Sequence, residues 1–137
     1  MSYDDQNIFA RILRGELPAI KVYEDDQTLA FMDIMPQAEG HTLVIPKSPA
    51  VTLLDLSPEA AAYTIQIVQK IAKAMETALD AKGIVLMQLS GAAAGQTVPH
   101  VHFHLIPSSI HELGRHAAQM GDQEKIAALA DKIKAVL

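Results

Sequence analysis

Pro99-His100-Val101-His102-Phe103-His104-Leu105-Ile106-Pro107 places a histidine at every second position, with an apolar residue in each gap. Successive side chains of an extended strand point to opposite faces. The alternation therefore predicts a strand with His100, His102 and His104 on one face and Val101, Phe103 and Leu105 on the other. The apolar face packs on a core and the histidine face is left for chemistry. Alternate residues lie about 6.6–6.8 Å apart along a strand, so neighbouring histidines can share one ligand. His100 and His104 cannot clasp one metal ion unaided.

Immediately upstream, Ser90-Gly91-Ala92-Ala93-Ala94-Gly95-Gln96-Thr97 reads as a loop, reached from a strand over Gly83 to Leu89. Gly91 and Gly95 let the backbone turn and approach a ligand, so N–H groups here, with the Gln96 and Thr97 side chains, could hold phosphate oxygens. The loop lacks the Gly-Lys-Ser/Thr ending of a P-loop. Further out, Ser57 caps a long helix, Pro58 suits its first turn and Gly83 can close it. Its stripe is Ile65, Val68, Ala72, Met75 and Leu79. Short strands are predicted at Lys21 to Glu24, Thr28 to Asp33 and His41 to Pro46, with Asp25-Asp26-Gln27 turning the first pair into an antiparallel meander. A short helix is expected over Asn7 to Leu13. A second amphipathic helix is expected near Asp122 to Val136, with Ile126, Leu129, Ile133 and Val136 inward.

The 137 residues, half of them apolar, suffice for one hydrophobic core, and the expectation is a single domain over 1–137. No apolar run reaches about 18 residues and the first residues are acidic, so neither export nor membrane insertion is expected. With no cysteine, disulfides and cysteine-ligated zinc are excluded, which fits a cytoplasmic protein. Eleven basic against sixteen acidic residues give a formal charge of -5, and no basic cluster could track a phosphodiester backbone. Polymeric nucleic acid is an unsuitable ligand; a small phosphate held by focused N–H groups is not.

Neutral imidazole is a competent nucleophile toward phosphorus, and a covalent phosphoramidate divides one hard displacement into two easier ones. A central histidine between two others suits that task, provided an acceptor pins its second nitrogen and leaves the attacking one unprotonated. Three close imidazoles resist joint protonation, so at least one pKa should be lowered. Activity should fall in acid as His102 protonates. A metal site competes with this reading, since His-x-His on a strand is half of a zinc site and His41 could add a third ligand. No HExxH motif is present. The plainest alternative is a solvated histidine face.

These residues resemble the histidine triad (HIT) family of nucleotide-binding hydrolases and transferases. The His-x-His-x-His-x-x signature is met by His100 to Ile106 and is preceded by Gly95-Gln96-Thr97-Val98. The likeness continues upstream through Gly40 to Lys47, Ala30 to Pro36 and Asn7-Ile8-Phe9 with Ile12, covering roughly residues 6–107 and fading in the C-terminal extension, 108–137. It implies an α+β fold of about five antiparallel strands in a meander with the Ser57 to Ala81 helix across it, and a homodimer whose sheet continues across a two-fold axis. His102 would be the nucleophile, with the His100 carbonyl fixing its tautomer, and His100 and His41 would support it. His104, Gln96, Thr97 and Gly95 would contact phosphate. Asp33 would accept from ribose hydroxyls, while Ile8, Phe9, Ile12, Phe31 and Ile34 would wall the base pocket.

The implied activity is hydrolysis or transfer at the α-phosphate of a purine nucleoside phosphoramidate or related conjugate through a nucleotidyl-histidine, with neither cofactor nor metal. Dinucleoside polyphosphate hydrolysis, a nucleotide-binding interaction module and a hydrolase with His102 and His104 as metal ligands are the alternatives. Many relatives carry Asn just before the Gly-rich loop, where this chain has Leu89-Ser90.

Overall fold

A computed structural model describes residues 2–113 and 120–137, so part of the loop expected after Pro107 lies outside the described residues. In chain order the elements are α1 (Ile8–Leu13), β1 (Lys21–Glu24), β2 (Thr28–Met32), β3 (Thr42–Pro46), α2 (Pro58–Leu79), β4 (Val85–Met87), β5 (Phe103–Ile106) and α3 (Gln123–Lys134). The fold is α+β. Its five strands form one antiparallel sheet in the order β1-β2-β3-β5-β4.

The meander holds for β1 to β3, where Asp25 organises the first turn. Its Oδ1 accepts from the N–H groups of Gln27 and Thr28, and its Oδ2 accepts from the hydroxyls of Tyr23 and Tyr63. Burial alone would raise the Asp25 pKa, but these hydrogen bonds, led by Tyr63, carry it well below the usual carboxylate range. After β3 the chain crosses through α2 to the outer edge as β4, then returns as β5 between β3 and β4. That insertion makes the histidine strand an interior one. Residues 101–106 are accordingly all buried, and a solvated histidine face is ruled out.

Period-two alternation divides the core. Ala30 and Met32 of β2, Val44 of β3, and Val101, Phe103 and Leu105 join the layer under α2 and α3, whereas Leu29, Phe31, Leu43 and Ile45 face Phe9 and Ile12 of α1. Leu43 pairs directly with His104, so His104 projects to the α1 side, because directly paired residues share a face. β5 is shorter than the sequence predicts. It begins at Phe103, with His100 in a bend and His102 just ahead of the ladder.

Ser57 caps α2 by accepting from the Ala60 N–H (3.1 Å). The helix closes at Asp80 in the left-handed region (φ 49°), three residues before the expected Gly83. Its buried stripe is Thr64, Ile67, Val68, Ile71, Ala74 and Met75, so the expected face is rotated: Val68 and Met75 are in the core, but Ile65 is 45% exposed. In α3, Ile126 and Ile133 are buried and Leu129 half-buried, but Val136 lies past the helix end and is exposed. Among the described residues no helix is long and apolar enough to cross a membrane.

Candidate functional site

Two backbone groups set the protonation of the histidine cluster. His102 Nδ1 lies 2.6 Å from the backbone oxygen of His100, the acceptor that the family resemblance implies. A carbonyl can only accept, so in the neutral ring the proton sits on Nδ1 and the lone pair on Nε2. Phe9 of α1 meets the same ring at 90°, with centroids 4.9 Å apart, and limits its rotation.

His41 is delivered by the turn at Gly40. The N–H of Gln37 donates to His41 Nδ1 (3.0 Å), which requires the proton of the neutral ring on Nε2. That nitrogen faces His104 Nδ1 at 3.0 Å and Asp33 Oδ2 at 3.4 Å. His104 Nδ1 therefore accepts, and its own proton sits on Nε2. The two adjacent rings, His102 and His104, with centroids 4.9 Å apart, thus take opposite tautomers. One offers a lone pair at Nε2 and the other a donor.

Asp33, His41 and His104 bring one potential ligand atom each to within 4.8 Å of one another, a grouping that omits His102. Zinc bound tetrahedrally at about 2.0–2.1 Å would hold two ring nitrogens about 3.3 Å apart and would need a lone pair on each. Here the separation is 3.0 Å, and the Gln37 N–H leaves a proton on His41 Nε2. As hydrogen-bonded here the three side chains form a relay, in which a metal ion would have to displace the proton on His41 Nε2.

Gly40 has φ +87°, and a Cβ there would come within 2.5 Å of Leu79 Cδ1 and 3.2 Å of Pro107 Cγ. Gly40→Ala is expected to destabilise the protein by about 1–3 kcal/mol through overpacking and left-handed strain. Urea denaturation reads that loss directly. An unchanged midpoint would show that the turn relaxes freely.

His100 faces away from this chemistry. It is fully buried, with Nε2 2.8 Å from the Pro46 oxygen and Nδ1 2.5 Å from the Tyr3 hydroxyl. Burial lowers its pKa, outweighing the Pro46 carbonyl, which works the other way. The expected lowered imidazole pKa is therefore found here, and its cause is burial rather than repulsion among rings. Because the folded value lies below the ordinary one near 6.5, the unfolded chain takes a proton that the folded chain refuses. The stability this residue contributes is full above about pH 6.5 and is lost as pH falls through the folded pKa. Carbon-13 NMR of the ring should show His100 titrating below the ordinary histidine value.

A cavity of about 370 Å³ opens beside the cluster. Of the residues expected at the site, Ile8, Phe9, Ile12, Phe31, Asp33, Ile34, Thr97, His102 and His104 line it. Phe9, Ile12 and Phe31 are buried in its wall, while Ile8 and Ile34 are exposed at its mouth. Asp33 stands at the end of β2, where its Oδ1 accepts from the Met35 N–H (2.9 Å).

Gln96 and Gly95, expected as phosphate contacts, are hydrogen-bonded within the loop itself. The Gln96 amide donates to the oxygens of Val51 (2.7 Å) and Val98 (3.0 Å) and accepts from the Gly91 N–H (2.8 Å). It braces the loop. The Gly95 N–H donates to Ala92 O, closing the 3-10 turn at Ala92–Ala94 with φ 108°. Ser90, just before the Gly-rich loop, donates its hydroxyl to Gln88 Oε1 (3.0 Å). Sequence reasoning missed Tyr3, the Gln37 N–H, and Met35, Leu43 and Val98 in the cavity wall. The apolar ones carried no signal apart from strand alternation at Leu43.

A buried His41–His104 relay, a carbonyl-pinned His102 and an apolar cavity thus sit together on one antiparallel sheet. The HIT domain family model matches residues 14–111, and the chain belongs to this family. A Hit-like protein from Bartonella henselae superposes with a TM-score of 0.92 at 49% identity, covering 100% of both chains. A zinc-bound histidine triad family protein from Mycobacterium smegmatis gives 0.81 at 37% identity, covering 95% of this chain and 94% of that one. The adenosine 5'-monophosphoramidase of Schizosaccharomyces pombe is 37% identical over 129 residues, 92% of this chain and 94% of its own.

Proposed function

We propose that the protein is a nucleotide hydrolase or transferase acting at the α-phosphorus of purine nucleoside phosphoramidates or related nucleotide conjugates. The observation that carries this reading is the 2.6 Å contact from His102 Nδ1 to the His100 carbonyl, beside a cavity lined by Asp33. His102 Nε2 attacks the phosphorus, the bond to the leaving amine breaks, and the amine takes a proton from solvent while the His104 Nε2–H hydrogen-bonds a phosphate oxygen. Water then attacks the nucleotidyl-His102 and gives up a proton to solvent as the N–P bond breaks, returning the lone pair to Nε2 and releasing the nucleoside monophosphate. Thr97 and the His104 donor face the phosphate, Asp33 receives the ribose hydroxyls, and Phe9, Ile12 and Phe31 wall the base, with Ile8 and Ile34 at the mouth. The Schizosaccharomyces pombe relative, named for adenosine 5'-monophosphoramidase activity, supports the choice of a purine phosphoramidate.

The same reading includes a homodimer. The short edge strand β4 exposes Leu86 and is suited to continuing a sheet into a second copy. Sedimentation at micromolar concentration should give a dimer; a monomer alone would contradict it.

Adenosine phosphoramidate supplies the functional test. The expected result is adenosine monophosphate and ammonia at a rate undiminished by excess EDTA, since the Gln37-fixed tautomer keeps a proton where a metal would need a lone pair. Turnover abolished by EDTA and restored by zinc would favour a metal hydrolase. Binding without any turnover would favour an interaction module.

A further inference from the structure

Tyr3 reaches the catalytic cluster from the segment before α1. Its hydroxyl lies 2.5 Å from His100 Nδ1, and the two rings meet edge to face with centroids 5.6 Å apart at 71°. The opposite ring nitrogen of His100 faces the Pro46 oxygen at 2.8 Å. The carbonyl can only accept, so His100 Nε2 is the donor, Nδ1 carries the lone pair, and the Tyr3 O–H donates to it. The segment holding Tyr3 is itself tied down. Arg14 Nη1 donates to Asp5 O (2.6 Å), Asn7 Nδ2 donates to Asp4 O (2.7 Å), and Asn7 Oδ1 caps α1 by accepting from the Ala10 N–H (2.9 Å).

We propose that Tyr3 is a positioning residue for His102: by holding the His100 ring between its own hydroxyl and the Pro46 carbonyl, it fixes the His100 backbone oxygen that receives His102 Nδ1–H. The proposal rests on His102 being the nucleophile. His100 is fully buried, so removing the hydroxyl strands a buried acceptor that must find another donor. The ring then turns or draws in water, and the peptide carrying the 2.6 Å acceptor moves with it. Tyr3 itself does not line the nucleotide cavity, so its effect is confined to how His102 is oriented. The strap also begins α1, whose Phe9 packs on His102. One segment thereby steadies the nucleophile through its ring face and through its carbonyl partner.

Tyr3→Phe keeps the edge contact and removes only the hydroxyl. With adenosine phosphoramidate, kcat should fall about tenfold, as expected for a misoriented reacting group, while KM stays within about twofold. In the proton NMR spectrum the low-field His102 Nδ1–H resonance should move upfield or lose intensity, with thermal unfolding confirming a folded variant. A folded Tyr3→Phe protein with wild-type kcat and an unmoved resonance would overturn the proposal. So would a raised KM with unchanged kcat. Failure of the nucleophile reading is separable: the wild type would then form no nucleotidyl-histidine, whatever the resonance does in the variant.

Discussion

His102→Ala is expected to lower kcat on adenosine phosphoramidate by about 10⁴-fold or more, with nucleoside monophosphate binding retained within a few-fold. Removing a covalent nucleophile takes away the two-step path altogether, and the residue remaining at that position cannot form the intermediate. Binding should survive because the cavity wall comes from α1, β2 and the loop after it, and His102 is one lining residue among many. Calorimetry with adenosine monophosphate and single-turnover kinetics read the two quantities separately. A variant with wild-type kcat would remove His102 from the chemistry. A loss of both binding and turnover would instead point to a collapsed pocket.

His104→Ala should cost about 10²–10³ in kcat, the usual effect of deleting one preorganised donor to a developing charge. The tautomer chain explains why His104 is a donor: the Gln37 N–H fixes His41, and His41 Nε2–H fixes His104. His41 touches His104 directly and does not line the cavity, so it acts through its neighbour. His41→Ala added to His104→Ala should therefore cost far less than the product of the single effects, since two members of one network are not additive. A fully multiplicative double variant would give His41 a separate role. Steady-state kinetics on the four proteins decide it.

The five strands, the three helices and the Ser57 cap of α2 were legible because short-range rules govern them. Asn7, Ser57 and Asp122 accept from helix N–H groups as N-caps do, and alternation along β2 and β3 sorts side chains to two layers. Strand order was harder to read. Insertion of β5 between β3 and β4 depends on α2 crossing the sheet, a long-range packing outcome, and it converts an apparent half-solvated strand into a buried one. The α2 face was misjudged by one step because Thr64, a polar residue, is buried by donating to Ala60 O, while Ile65 faces outward.

At the site, many of the side chains with a residue-type signal line one cavity, while several contacts around them carry no such signal. Gln96 reads as a phosphate donor by type, yet three backbone groups use up its amide. His100 reads as a supporting residue whose carbonyl fixes His102, and that contact is present, but nothing in the sequence announced that its ring would be held in the core by the Pro46 oxygen. Tyr3 and the Gln37 N–H act over contacts that no local pattern announces. The hydrogen bonds of Gln37, His41 and His104 also altered the standing of the metal reading, which spacing alone had left open.

The central claim is that His102 Nε2 bonds to phosphorus during turnover. Rapid acid-free quench of the protein with adenosine phosphoramidate, followed by intact-mass and peptide mapping, tests it most directly. An adenylyl group on His102 at a stoichiometry approaching one per chain, absent from His102→Ala, is the predicted result. Steady turnover with no adduct at any quench time, or an adduct mapped to another residue, would contradict it.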